Sequence, residues 1–142
     1  MKGADILVVD DSAADRASIR IAFERTGHPI KLHFAHNGKM ALDLLRAEGG
    51  AAMVVRPHLC VLDVKMPGLS GLHVLQALKA DNKLVEMPVI MLSGSDDQAD
   101  ISAAYRLFAS GYIKKPTNAE GLHEVADVLG RLCSSILAFS HK

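Results

Sequence analysis

Ile6-Leu7-Val8-Val9-Asp10-Asp11 and Leu59-Cys60-Val61-Leu62-Asp63 are short apolar runs that each end in carboxylates. Two further runs have the same form, Val89-Ile90-Met91-Leu92 before Ser93 and Gly111-Tyr112-Ile113 before Lys114-Lys115-Pro116. Nearly continuous apolar runs of this length suit strands of a parallel sheet covered on both faces. A fifth candidate, Ile30 to Ala35, is interrupted by His33 and followed by His36, and it reads as more exposed and nearer an edge.

Between the runs lie segments of helical period. The clearest is the last, where Leu122, Val125, Ala126, Leu129, Leu132, Cys133 and Ile136 recur at helical spacing. Ser12 to Asp15, Ser95 to Gln98 and Thr117 to Glu120 read as capping boxes that open helices. Gly27 closes the first helix, and Ala80-Asp81-Asn82 loosens the third before Pro88. Parallel strands need helical crossovers, so five strands alternating with five helices make a doubly wound α/β domain. The expected organisation is a single domain over residues 1–142, with an extended C-terminal helix at about 118–139. Within it, Glu48 to Pro57 is an awkward connection whose Ala51-Ala52-Met53-Val54-Val55 is expected to pack rather than stay exposed.

Composition narrows the function classes. The chain is 49% hydrophobic and 23% charged, with sixteen basic and sixteen acidic residues that cancel. No net positive field draws in nucleic acid or anionic lipid, so the expected partners are specific proteins. Cys60 and Cys133 have no metal or CxxC spacing and read as small buried hydrophobes in a reducing compartment. The N-terminus leaves no room for a signal peptide, and the apolar runs are too short to cross a bilayer. A cytoplasmic protein is the expectation.

In open α/β sheets, ligands collect beyond the carboxyl ends of the strands. Taking only those ends gives Asp10, Asp11, Asp63, Ser93 and Lys115 on one rim. Three clustered carboxylates repel one another unless a cation intervenes, and Mg²⁺ prefers oxygen ligands. A serine hydroxyl and a lysine ammonium can hold phosphoryl oxygens, and a central carboxylate can act as nucleophile. Taken singly, each feature has a plainer explanation. Asp10-Asp11 suits a helix N-terminus, Asp63 before Met66-Pro67-Gly68 suits a turn, and Tyr112 suits packing.

Taken together, in this order, Asp10-Asp11, Leu62-Asp63-Val64-Lys65-Met66-Pro67-Gly68, Met91-Leu92-Ser93 and Tyr112-Ile113-Lys114-Lys115-Pro116 resemble the receiver domains of two-component response regulators. The resemblance implies a (βα)5 flavodoxin-like three-layer sandwich with a five-stranded parallel sheet in the order 2-1-3-4-5. It implies phosphorylation of Asp63 by a histidine kinase or histidine phosphotransfer protein, so the chain is a signalling switch and not an enzyme of the ordinary kind. Asp10, Asp11, Asp63 and the Lys65 backbone carbonyl would hold Mg²⁺ (or Mn²⁺). Lys115 matches the family's lysine because it immediately precedes Pro116, and the Lys115–Pro116 bond is a candidate cis peptide. Ser93 and Tyr112 match the switch pair, while Lys65 and Ser95 match the positions that set phosphoryl lifetime, here expected to give moderately slow self-dephosphorylation.

Subfamily cues are Ala41 to Arg46, Lys79 to Pro88, Asp100 to Tyr105 and the long last helix. They are most similar to stand-alone receivers associated with phytochrome-type histidine kinases. Output is then expected through a downstream protein target, on the face of the fourth helix, fifth strand and fifth helix, without direct DNA binding or a membrane. A homodimer is possible through Ile136-Leu137-Ala138-Phe139. Other classes fit less well. A P-loop at Gly38-Lys39 would need glycine where His33 stands, and a haloacid-dehalogenase-type phosphatase would need a DxD that Asp10-Asp11-Ser12 lacks. His33 and His36 face opposite sides of a strand and cannot easily share an ion. The alternative kept open is a phosphorylation-independent pseudo-receiver that acts only as an interaction module.

Overall fold

The computed structural model describes residues 3–46 and 56–140. The Ala51–Val55 stretch therefore lies outside the described residues, as do the side chains at the Ala138-Phe139 end of the apolar tail. The elements alternate as β1 (Ala4–Val9), α1 (Ala13–Thr26), β2 (Ile30–Ala35), α2 (Gly38–Arg46), β3 (Leu59–Leu62), α3 (Gly71–Lys79), β4 (Val89–Ser93), α4 (Gln98–Arg106), β5 (Gly111–Lys114) and α5 (Ala119–Ser140). All pairings are parallel and the five strands are ordered β2-β1-β3-β4-β5, which is the architecture that the sequence resemblance implies.

Alternation of side chains along a strand turns each apolar run into two half-cores. Ile6 and Val8 pack with Ile19, Phe23, Ala126, Leu129 and Cys133, under α1 and α5. Leu7 and Val9 pack with Ala41, Leu45, Val74, Leu75, Leu78 and Ala104, under α2, α3 and α4. The runs are uninterrupted because neither face meets water. β2 is only partly buried and lies at an edge, as His33 within it and His36 just after it suggest. Burial pushes the thiol of Cys60 up to about 12 and that of Cys133 up to about 11, so both behave as inert core residues.

Helix ends bear out one proposed capping box and correct two. The Ser12 hydroxyl accepts a hydrogen bond from Asp15 N–H, and Gly27 closes α1 in the left-handed region at φ 71°. Asp97, not Ser95, caps α4 by accepting from Ala99 N–H at 2.9 Å. At the start of α5, Asn118 rather than Thr117 accepts from Gly121 N–H at 2.7 Å. In both cases the Asx side chain stands closer to the first turn and reaches its free N–H groups. Among the described residues no helix is long and apolar enough to cross a membrane.

Candidate functional site

Sheet register sets the site. Val9 pairs with Leu62, and Leu62 with Met91, so Asp10 and Asp63 leave adjacent strands at one level. Asp63 N–H donates to Val9 O at 3.0 Å and Asp10 N–H donates to Ala35 O at 3.1 Å, continuing the ladder beyond both strands. The chain leaves β1 toward β2 on one side while β3 lies on the other. This is the reversal of strand order at which doubly wound sheets open a crevice.

Two carboxylates in that crevice are nearly dry. Asp10 is 2% exposed and Asp63 6% exposed, whereas Asp11 is exposed. Oxygen atoms of Asp10, Asp11 and Asp63 all lie within 4.8 Å of one another. Burial pushes the Asp10 carboxyl above its usual range, and the Asp63 charge adds to this; hydrogen bonds from Lys115 and from Ser12 N–H act the other way. A cluster of three hard oxygen donors, two of them buried, is a donor set that fits Mg²⁺ or Mn²⁺.

Lys115 arrives from the far side on the loop after β5. Its backbone N–H donates to Ser93 O at 2.8 Å, which ties the loop to the end of β4. Its ammonium lies 2.7 Å from Asp10 Oδ2, 2.9 Å from Asp63 Oδ2 and 2.8 Å from Asp15 Oδ2. Burial lowers the affinity of this amine for its proton, but the three carboxylates outweigh it and hold the ammonium above its ordinary value. Lys114 points elsewhere, to Asp96 at 2.9 Å, so the assignment of Lys115 by its place before Pro116 agrees with the geometry. The cis assignment does not: no described peptide bond is cis. Trans is the lower-energy form of an Xaa-Pro bond, and with it Lys115 reaches both Ser93 and the carboxylates.

Ser93 is fully buried, and its hydroxyl accepts from Ser95 N–H at 3.2 Å. The Tyr112 hydroxyl donates to Ser95 O at 2.8 Å. Ser95 therefore bridges the two residues proposed as a switch pair, while its own hydroxyl donates to Asp100 Oδ2 at 2.7 Å. Lys65 N–H donates to Asp63 Oδ1 at 3.3 Å, and the Lys65 ammonium lies 3.9 Å from Asp100. All the residues expected at the rim thus surround one crevice.

Three partners escaped the sequence. Asp15 and Asp100 join the network, and the Arg16 guanidinium donates to Asp10 O at 2.7 Å. Asp15 stands three residues after Ser12, and its N–H does take part in the cap, which hid its second role. Gly71 is a further hidden requirement. A β-carbon there would clash with Asp63 O, and the Gly71 N–H donates to Val64 O at 2.8 Å.

A doubly wound sheet that presents carboxylates, a hydroxyl and an ammonium at one rim defines the class: the chain belongs to the response regulator receiver domain family, whose model matches residues 6–127. It is 34% identical over 123 residues to the probable methanogenesis regulatory protein FilR2 of Methanothrix harundinacea, covering 86% of this chain and 78% of that one. The response regulator MprA of Mycobacterium avium, 35% identical over 117 residues, is longer, and the chain spans 46% of its length. Among solved structures it is similar to the phosphorylated cyanobacterial phytochrome response regulator RcpA, with TM-score 0.87, 32% identity and coverage of 94% and 95% of the two chains. It is also similar to the Mn(2+)-bound form of response regulator Rcp1, with TM-score 0.79, 27% identity and coverage of 89% and 90%.

Proposed function

We propose that this chain is a phosphorylation switch that takes a phosphoryl group on Asp63. The observation that carries the reading is the Lys115 ammonium placed 2.9 Å from the Asp63 carboxylate, beside the cluster of Asp10, Asp11 and Asp63. In the reaction an Asp63 oxygen attacks the phosphorus of a phosphohistidine on a kinase or phosphotransfer protein. The P–N bond breaks, the electron pair passes to the imidazole nitrogen, and an acyl phosphate forms on Asp63. Lys115 and Ser93 donate hydrogen bonds to phosphoryl oxygens, where charge accumulates in the transition state. Asp10, Asp11, Asp63 and the Lys65 carbonyl would hold Mg²⁺ or Mn²⁺; when bound, such an ion neutralises phosphoryl charge.

Movement of the Ser93 hydroxyl toward the phosphoryl group breaks its bond from Ser95 N–H and disturbs the Ser95 carbonyl that holds Tyr112. Phosphorylation then selects between two arrangements of the α4–β5–α5 face, which a downstream protein reads. Lys65 and Ser95 flank the phosphoryl position and set its lifetime. Likeness to RcpA supports a phytochrome-type histidine kinase as donor, and the place of work in this reading is the cytoplasm. The test is incubation with acetyl phosphate and Mg²⁺, with intact mass as the readout. One phosphoryl group on the wild type and none on Asp63→Asn is expected. Equal labelling of both, or of neither, overturns the reading, and the second result favours an interaction-only module.

A further inference from the structure

An ammonium has three hydrogens and no more. The Lys115 ammonium donates to Asp63 and Asp15 at 2.9 and 2.8 Å and pairs with Asp10 at 2.7 Å, so three carboxylates share it. A phosphoryl group arriving on Asp63 therefore finds no spare donor on Lys115, and one of the three carboxylates has to let go.

Burial decides which. Asp10 is almost dry, and its other oxygen accepts from Ser12 N–H at 2.9 Å. Releasing it would leave a buried carboxylate short of a partner. Asp63 is the acceptor itself. The Asp15 side chain is 45% exposed, on the first turn of α1 at the mouth of the crevice, so water can take over its hydrogen bond. Asp15 is also outside the carboxylate cluster that suits a cation, so a metal does not bind it in compensation.

We propose that Asp15 is a positioning residue that acts through Lys115: it occupies the third ammonium hydrogen in the resting state, yields it to a phosphoryl oxygen, and so slows the transfer step. This inference rests on the phosphoacceptor reading of Asp63. In Asp15→Asn an amide oxygen keeps the lysine in place, but the bond loses its charge assistance, which is about half of its strength. Lys115 is then easier to recruit.

The experiment measures phosphorylation by acetyl phosphate over a range of donor concentrations, in saturating Mg²⁺, for the wild type, Asp15→Asn and Asp15→Glu. The expected result is a maximal rate about threefold higher in Asp15→Asn, with the half-saturating donor concentration changed less than about twofold, and a return to the wild-type rate in Asp15→Glu. The difference should shrink in high salt, because the Asp15 leg is partly exposed. A lower or unchanged maximal rate overturns the proposal. So does an effect confined to the half-saturating concentration, which would make Asp15 a mere repulsive charge toward the donor. A misfolded variant cannot produce a gain in rate. If the wild type shows no labelling that depends on Asp63, the phosphoacceptor reading fails and this inference falls with it; labelled wild type with an unaltered variant overturns the inference alone.

Discussion

Replacing Lys115 by methionine keeps the length of the side chain and removes the charge that three carboxylates share. Breaking a buried ion pair from one side typically costs about 3–5 kcal/mol, and a half-exposed partner such as Asp15 adds about 0–1. The Lys115 side chain is 17% exposed and the crevice opens to water, so the low end applies, about 3 kcal/mol at neutral pH. With a urea slope of about 1.5 kcal/mol per molar, the unfolding midpoint falls by about 2 M. The sign of the pH dependence follows from the groups involved. The lysine is held above its ordinary value, so its stabilisation is fully present at neutral pH and is lost only in strong base. Asp10 is already pushed up by burial, and without Lys115 it rises further. A folded-state carboxyl above its unfolded value binds more protons than the unfolded chain does, so stability declines as pH rises through that window. The deficit of Lys115→Met should therefore be small near about pH 4 and full by about pH 7. Divalent cation should narrow it, since the carboxylates lose a competitor and gain a replacement charge; saturation at about 100 times Kd contributes about 2.7 kcal/mol. Urea titrations at both pH values, with Mg²⁺ and with chelator, measure all of this. A deficit independent of both pH and Mg²⁺ would refute the electrostatic account and leave only lost packing.

Gly71→Ala sets a β-carbon against the Asp63 carbonyl, a backbone atom that cannot step aside. Overpacking of this kind costs about 1–3 kcal/mol, and the displaced Asp63 should lose most of its labelling by acetyl phosphate; a variant with wild-type melting and labelling contradicts the close approach. Phe108 follows α4 with φ 67° and is 75% exposed, so it carries left-handed strain while burying little. Phe108→Gly should raise stability by about 0.5–1 kcal/mol in thermal melts, and a loss would mean that the ring packs more than its exposure implies.

Much of the fold was open to reading in the sequence because it depends on local pattern. Runs such as Ile6–Val9 and Leu59–Leu62 must be buried on both faces, and only helical crossovers can connect them in parallel. The rim residues Asp10, Asp11, Asp63, Ser93 and Lys115 were open to the same reading, because a strand's carboxyl end is a position in the sequence. Caps were less certain. Ser95 and Thr117 have the right chemistry, yet Asp97 and Asn118 stand nearer the first turn, a difference of one or two residues that pattern does not resolve. What only the tertiary structure decided is who shares whom. Asp15 lies 100 residues from Lys115 and meets it because α1 and the loop after β5 converge on one crevice. Gly71 is required by the Asp63 carbonyl across a loop. The Lys115–Pro116 bond, expected as a cis candidate from residue type, is trans in the folded chain, where Lys115 still reaches Ser93 and the carboxylates. Residue type and spacing determined which chemistry this protein can hold; long-range approach determined that the ammonium of Lys115 is already fully engaged.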